Sequence, residues 1–142
     1  MMSNINQIRL IDLEEHGDNR GQMIVVEGNK GIPFSINRIF YIYGSDRDVV
    51  RGQHSNRESE FVLIAVAGSC KVLVKDGISD EKIFNLDTPT KGLYLPTMIW
   101  KEMFDFSEDC VLLVLTNTHY NGDEYIRDFH QLQREMLASF QE

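Results

Sequence analysis

Apolar and polar residues alternate with a period of two along most of the chain, the pattern of half-buried β-strands. Runs rich in Val, Ile, Phe and Tyr, separated by Gly, Asp, Asn, Ser or Pro, predict strands at residues 22–26, 36–43, 61–67, 70–75, 81–86, 98–104 and 111–116. The Asp76-Gly77 pair predicts a hairpin that pairs 70–75 with 81–86 in antiparallel fashion. These short strands predict an all-β jelly-roll barrel, and its mouth is the default ligand site.

The pattern changes only near the end of the chain. Apolar residues recur there every three or four positions, which predicts an amphipathic helix at about 123–140 with an apolar face made of Tyr125, Phe129, Leu132, Met136 and Phe140. The length of 142 residues suits one domain, with the barrel at about 8–118. We expect the helix to pack on the barrel or on a partner subunit.

Charge and composition narrow the range of partners. There are 14 Lys and Arg against 22 Asp and Glu, a formal net charge of -8, which argues against nucleic acid or an anionic membrane as the main partner. With no leader-like segment and no membrane-length apolar run, we expect a soluble, cytoplasmic protein. Cys70 and Cys110 sit in apolar runs, so we expect both to be reduced and buried. An anionic ligand would have to meet a local cluster of cations.

The segment at residues 51–60 carries the candidate chemistry. His54 and Asn56 project to the same face of an extended strand, so both can line a pocket. A metal ion needs three or four preorganised N or O ligands. Only His54 and Glu60 qualify here, and Lys101 cannot bind a metal while it is protonated. We therefore expect no metal and no other cofactor.

Eight motifs in a fixed order are the most specific feature of the sequence. They read DNRG, IPFSINRIFYIY, RGQH, GSCKVLV, GLYLP, IWKEM, FSEDCV and EYIR, and they lie at residues 18–21, 32–43, 51–54, 68–74, 92–96, 99–103, 106–111 and 124–127. Over about residues 8–130 the chain resembles the cupin-fold nucleotide-sugar 3,4-ketoisomerases. The resemblance implies conversion of a dTDP-4-keto-6-deoxyhexose to its 3-keto isomer. The product would feed an aminotransferase, on the way to a 3-amino-3,6-dideoxyhexose of surface polysaccharide.

The resemblance also implies how the site works. It implies metal-free catalysis on the inner face of the barrel, with proton carriers at the two histidines of an R-G-x-H-x-H segment. His54 matches the first of them, whereas Asn56 stands at the second. It further implies a homodimer in which an N-terminal strand pairs with the partner subunit.

We hypothesise that a single base performs this chemistry, and the choice between one base and two stays open. The proton on C3 is acidic because it is α to the C4 ketone, and histidine is the side chain whose ordinary pKa suits its removal. If C3 and C4 are served from one face, His54 can make both transfers through an enediol. Asn56 would then orient the substrate oxygens, while Tyr41 or another phenol passes the oxygen-bound proton.

Arginines are the candidates for binding the diphosphate, because the guanidinium fork suits phosphate. They are Arg20, Arg38 and Arg51, each in or beside a predicted strand. Both faces of the strand that carries Arg38 read as buried, so this side chain should have an anionic partner. The alternative to substrate is an internal ion pair with Glu27 or Glu102.

Aromatic side chains could stack on the thymine, a contact worth about 1–3 kcal/mol. Tyr41, Tyr94 and Trp100 are the candidates, although an aromatic residue in a strand is more often part of a core. Glu102 could accept a sugar hydroxyl or pair with an arginine.

Two other functions fit the same residues. A 3- or 5-epimerase of the same substrate class begins with the same α-proton abstraction. A cupin that binds a nucleotide sugar without turning it over would tolerate Asn56. The configuration at C4 of the product, gluco or galacto, depends on pocket geometry and stays open.

Overall fold

The computed structural model describes residues 4–78 and 81–140. Most of this range is extended chain, with two 3₁₀ turns at Ile5–Gln7 and Gly122–Glu124 and one helix near the end. The elements are β1 (Arg9–Asp12), β2 (Glu15–Asp18), β3 (Gly21–Ile24), β4 (Glu27–Gly28), β5 (Gly31–Ile32), β6 (Arg38–Tyr43), β7 (Arg51–Asn56), β8 (Phe61–Ala67), β9 (Cys70–Lys75), β10 (Lys82–Leu86), β11 (Lys91–Leu95), β12 (Trp100–Phe104), β13 (Val111–Thr116), β14 (Tyr125–Ile126) and α1 (Phe129–Ser139).

Two five-stranded antiparallel sheets enclose the main core. Their strand orders are β1-β11-β8-β13-β6 and β10-β9-β12-β7-β14. Leu63, Leu93 and Leu112 of the first sheet and Val72 and Val74 of the second are at most 1% exposed and belong to one apolar cluster. Successive side chains of a strand point to opposite faces of its sheet. The apolar side chains on the faces turned away from this cluster must therefore be buried by other elements. The predicted all-β barrel is confirmed.

Separate layers cover the two outer faces. Ile32 and Phe34 pack on Val62 and Ile64, which point away from the main core. On the second sheet, α1 packs over Trp100. Polar side chains at the barrel interior are therefore separated from both outer layers by a sheet.

Most of the predicted strands lie where the sequence placed them. β9 and β10 pair as antiparallel neighbours, and Gly77 beyond β9 has a φ of +85°, as the hairpin prediction required. The remainder of that turn, residues 79–80, lies outside the described residues. β11 was not predicted as a strand, although its GLYL sequence formed one of the motifs. The run predicted at 22–26 is shorter, because β3 ends at Ile24.

The predicted start of the terminal helix is wrong. Residues 122–124 form a 3₁₀ turn, and Tyr125 lies in β14, where it pairs with Asn56. The helix begins at Phe129, after Asp128, whose carboxylate accepts a hydrogen bond from the His130 amide at 3.0 Å. The apolar spacing of Tyr125 is compatible with a helix or a strand. Its pairing with Asn56 of β7 makes it a strand residue.

The expected burial of both faces of β6 is also wrong within one protomer. Ile39, Tyr41 and Tyr43 are 58%, 62% and 70% exposed, whereas Arg38 and Phe40 of the opposite face are half-buried. Both cysteines are free and buried, as predicted. Among the residues that the structure describes, no helix is long and apolar enough to cross a membrane.

Candidate active site at the barrel interior

A bulge in β7 sets the direction of the candidate catalytic residues. Gly52 and Gln53 have φ angles of +83° and +58°, and the register of β7 against β12 shifts at this point. Opposite Arg51 lies Met103, and opposite His54 lies Lys101. Because the bulge adds one residue, Arg51 and His54 share the inner face although they are three positions apart.

Gly52 is required for this bulge. A Cβ atom there would stand 2.9 Å from the carbonyl oxygen of Lys101, in a backbone conformation that L-residues rarely adopt. Gly52→Ala should lower the free energy of unfolding by about 1–3 kcal/mol in urea titrations. Gly31→Ala is the matched control, because Gly31 has a similar φ of +89° with no atom within 4 Å of the added Cβ. Equal losses in the two variants would contradict the role of the contact.

The His54 imidazole is held in its neutral form. Its pKa is lowered to about 3, chiefly by burial and then by the positive charges of Lys101 and Arg127, while a hydrogen bond with Asn56 acts in the opposite direction. The ring meets the edge of Tyr125 at 4.8 Å between centroids. Its Nδ1 atom is buried without a hydrogen-bond partner among the described residues. A neutral ring is the form that can accept a proton from a substrate carbon.

Asn56 belongs to a buried polar network. Its Nδ2 donates to Glu124 Oε1 in a short contact, and its Oδ1 accepts from Lys101 Nζ at 3.0 Å. The other carboxylate oxygen of Glu124 accepts from Ser59 Oγ at 2.9 Å. Asn56 is 1% exposed, so these contacts fix the orientation of its amide. Asn56 thereby links the only carboxylate of the network to its ammonium group, within the described chain.

Arg38 adds a second positive charge to the inner face. Its guanidinium lies 5.7 Å and 5.8 Å from the ring centroids of Phe40 and Tyr120, and its Nε is buried without a partner among the described residues. Both alternative partners are engaged elsewhere. Glu102 accepts from Trp100 Nε1 at 2.9 Å, and Glu27 lies 4.0 Å from Lys30. Within the described residues, neither of the two carboxylates named as alternatives neutralises this interior cation.

Several predicted substrate-binding residues lie away from this interior. Trp100 and Glu102 point to the opposite face of β12 from Lys101, and Trp100 packs there beneath α1, with its ring 5.4 Å from that of Phe129. Tyr94 lies in the outer layer of the first sheet, where its hydroxyl donates to Glu60. Burial and Glu60 raise the pKa of that hydroxyl. Strand alternation places all three on faces turned away from His54 within one protomer.

Two further predicted residues are exposed. Tyr41 is on the outer face of β6, where its ring stacks on Tyr43 with centroids 6.2 Å apart. Arg20 is at the turn between β2 and β3 and pairs with Asp18 at 2.6 Å. Tyr41 therefore faces away from the interior of its own barrel, and the side-chain contacts of Arg20 within the described residues are with Asp18. Arg51, at the end of β7, is exposed but shares the inner face with His54.

Sequence reasoning missed the part of the site that follows the barrel. Glu124, Tyr125 and Arg127 belong to the EYIR motif, and the helical spacing of Tyr125 gives no sign that these residues lie beside β7. The Arg127 guanidinium lies 4.5 Å from the centre of the Tyr125 ring, which also contacts the His54 ring. One sign of this was present in the sequence: the charged residues of the E-Y-I-R motif interrupt the apolar pattern of the predicted helix. Among the described residues, no three His, Cys, Asp or Glu side chains are grouped to hold a metal ion.

Comparison with known proteins shows the family to which the chain belongs. The family model described as "FdtA: WxcM-like, C-terminal" matches residues 6–137. The TDP-4-oxo-6-deoxy-alpha-D-glucose-3,4-oxoisomerase of Aneurinibacillus thermoaerophilus is 39% identical over 126 residues, which cover 89% of this chain and 90% of that protein.

Solved structures agree with the sequence comparison. A 3,4-ketoisomerase from Helicobacter canadensis is 40% identical with a TM-score of 0.89, covering 92% of this chain and 97% of that one. A histidine-to-asparagine variant of the 3,4-ketoisomerase QdtA from Thermoanaerobacterium thermosaccharolyticum, solved with TDP-4-keto-6-deoxyglucose, is 39% identical with a TM-score of 0.91 and full coverage of both chains. The chain is therefore an isomerase that belongs to the FdtA-like family of 3,4-ketoisomerases with a cupin-like fold.

Proposed function

We propose that the protein converts a dTDP-4-keto-6-deoxyhexose to its 3-keto isomer in the cytoplasm. The observation that carries the proposal is the placement of the His54 imidazole on the inner face, directly opposite Lys101 in the β7–β12 ladder, with Arg38 as a second cation on that face. The reaction needs a base for the C3 proton and positive charge near the developing enediolate. The solved relative whose complex contains TDP-4-keto-6-deoxyglucose supports this choice of substrate.

In this mechanism His54 removes the proton from C3. The electron pair of that C–H bond forms the C3–C4 double bond of an enediol, and O4 receives a proton. His54 then returns its proton to C4 while O3 loses its own, which leaves the ketone at C3. Asn56 holds Lys101 and Glu124 in place, and its second N–H group would orient a substrate oxygen. A ketone at C3 is the group that an aminotransferase would consume, in keeping with a 3-amino-3,6-dideoxyhexose for surface polysaccharide.

Product analysis tests this proposal against its alternatives. The protein is incubated with dTDP-4-keto-6-deoxyglucose in deuterated water and the products are followed by NMR. The proposal expects a 3-ketone, with deuterium at C4 to the extent that the proton on His54 exchanges with solvent before it is returned. A 4-ketone with inverted C3 or C5 would establish an epimerase instead, and unchanged substrate without deuterium would establish a binding protein.

We also propose that the protein is a homodimer in which an N-terminal strand pairs with the partner subunit. Residues 15–23, which include β2 and most of β3, are exposed throughout. The outer face of β6 is apolar and exposed as well. In such a dimer Arg20, at the tip of the β2–β3 hairpin, would serve the diphosphate of the partner's site.

Sedimentation measures this directly, with an expected mass of twice the 16.4 kDa chain. Tyr43→Glu, which places a charge on the exposed face of β6, should shift the protein towards monomer. Lys82→Glu on the exposed side of β10 is the control and should stay dimeric. A wild-type protein that sediments as a monomer would contradict the proposal.

A further inference from the structure

Lys101 is the most unusual charged residue of the barrel. It lies in β12, between β9 and β7, and only 4% of it is exposed. Its Nζ is 4.0 Å from the centre of the Phe61 ring, which belongs to the main core. Burying an ammonium group costs free energy unless the charge is paired and hydrogen-bonded, so a lysine at this position requires an explanation.

The ammonium group keeps most of its hydrogen-bonding capacity. Nζ carries three N–H groups, and Asn56 Oδ1 at 3.0 Å is its one hydrogen-bond acceptor in the described part of the chain. A second side of the ammonium group faces the ring of Phe61. The side chain shares the inner face with His54, which is directly opposite in the β7–β12 ladder. A substrate oxygen that reaches His54 would therefore also find an unused donor on Lys101.

The charges around Lys101 allow it to exchange a proton near neutral pH. The groups that face it are Glu124 from the 3₁₀ turn, Arg38 from β6 and His54 from β7. The pKa of Lys101 is lowered to about 7, mainly by burial; the carboxylate of Glu124 acts against this shift and the charge of Arg38 contributes to it. An amine of this kind can donate a proton in one step and accept one in the next.

We propose that Lys101 is a second catalytic residue, which carries the oxygen-bound proton from O3 to O4 while His54 serves the carbons. This inference rests on the proposed function. The ammonium form gives a proton to O4 as His54 takes the C3 proton and the C4 carbonyl π pair moves to O4. The resulting amine takes the proton from O3 as the C3 carbonyl forms and His54 protonates C4. Both side chains end in their starting states, so no further reactant is needed.

The placement of the phenols supports Lys101 in this role. Tyr41, the phenol that the sequence suggested, points away from the barrel interior. Asn56 lies close enough but has no proton to exchange near neutral pH. Tyr125, whose ring meets His54, is the remaining phenol beside the base, and it is tested in parallel.

The test is chemical rescue of Lys101→Ala. We expect kcat to fall by about 100-fold or more, which is the usual contribution of a general acid–base group, with the Kd for dTDP within about threefold of wild type. Ethylammonium should restore turnover in a saturable way, and the restored rate should vary with the pKa of the amine used. Tetramethylammonium, which has the charge but no proton, should not restore it. Lys82→Ala on the surface is the control for the loss of a lysine.

Lys101→Met keeps the test decisive if the alanine variant does not fold, because methionine fills a similar volume. It should show the same loss in kcat at an unchanged melting temperature. Turnover of Lys101→Met within about threefold of wild type would overturn the proposal. So would rescue of Lys101→Ala by tetramethylammonium, failure of every primary amine to rescue it, or a large loss in Tyr125→Phe while Lys101→Met stays active. An inactive wild type would instead refute the proposed function, which is a separate result.

Discussion

Replacing His54 by Asn should lower kcat by about 100- to 10 000-fold, the range over which general base catalysis contributes. Asparagine keeps a planar polar group next to Tyr125 but cannot accept a proton from carbon. Affinity for dTDP should stay within about threefold of wild type, because His54 serves the sugar and not the nucleotide. Turnover is measured by NMR of the 3-ketone, and dTDP binding by calorimetry.

The same variant separates catalysis from folding. Burial holds the His54 imidazole neutral, so a neutral amide should be accepted there without loss of stability. His130→Asn is the matched control, because His130 is exposed on α1 and should leave kcat unchanged. Retention of most of the turnover by His54→Asn would show that another group removes the C3 proton, and the single-base mechanism would be wrong.

Period-two patterning was sufficient to predict the barrel, since successive residues of each strand point to opposite faces of a sheet. It was not sufficient for the residues after β13. Tyr125 fits a helical spacing, yet it pairs with Asn56 in β14 because a 3₁₀ turn precedes it. A pairing partner that lies 69 positions away cannot be read from local periodicity.

The candidate site divides in the same way. The place of His54 beside Asn56 on a strand could be predicted from the RGQH motif, and its catalytic role stays a prediction. The roles of Trp100, Tyr94 and Tyr41 depended on which face of a strand points inward, and all three lie on outer faces. Residue type alone does not distinguish the two faces of a strand when each face is covered by an apolar layer.

Lys101 shows the opposite case. In the sequence it counted only against a metal site, since a protonated lysine is a poor ligand. The structure gives it a buried position, a hydrogen bond to Asn56 and a carboxylate two links away at Glu124. Such a network depends on three elements meeting inside the barrel, and no spacing along the chain encodes that meeting.

The net charge of -8 describes the outer surface and not the interior. Arg38 and Lys101 face the inner space with Glu124 as the one carboxylate of the network in the described residues. A dianionic diphosphate is repelled at long range by such a chain, so its affinity must come from a few cations at short range.

Arg38→Met should therefore weaken dTDP binding by about 10- to 100-fold, the loss expected for a hydrogen-bonded charge pair of about 1.5–3 kcal/mol. Methionine keeps apolar volume beside Phe40 and Tyr120 but removes the guanidinium. The buried Nε has no partner among the described residues, so its removal should leave the melting temperature unchanged or higher. That combination, weaker binding without lower stability, is what a cation held for a ligand would show.

Calorimetry with dTDP and thermal melting measure the two effects separately. Arg134→Met is the matched control, because Arg134 is exposed on α1 and should change neither value. If Arg38 instead meets only protein groups, the variant would melt at a lower temperature and bind dTDP as well as wild type does. That outcome would remove Arg38 from the substrate site and leave Arg51, with Arg20 of a partner subunit, as the cations for the diphosphate.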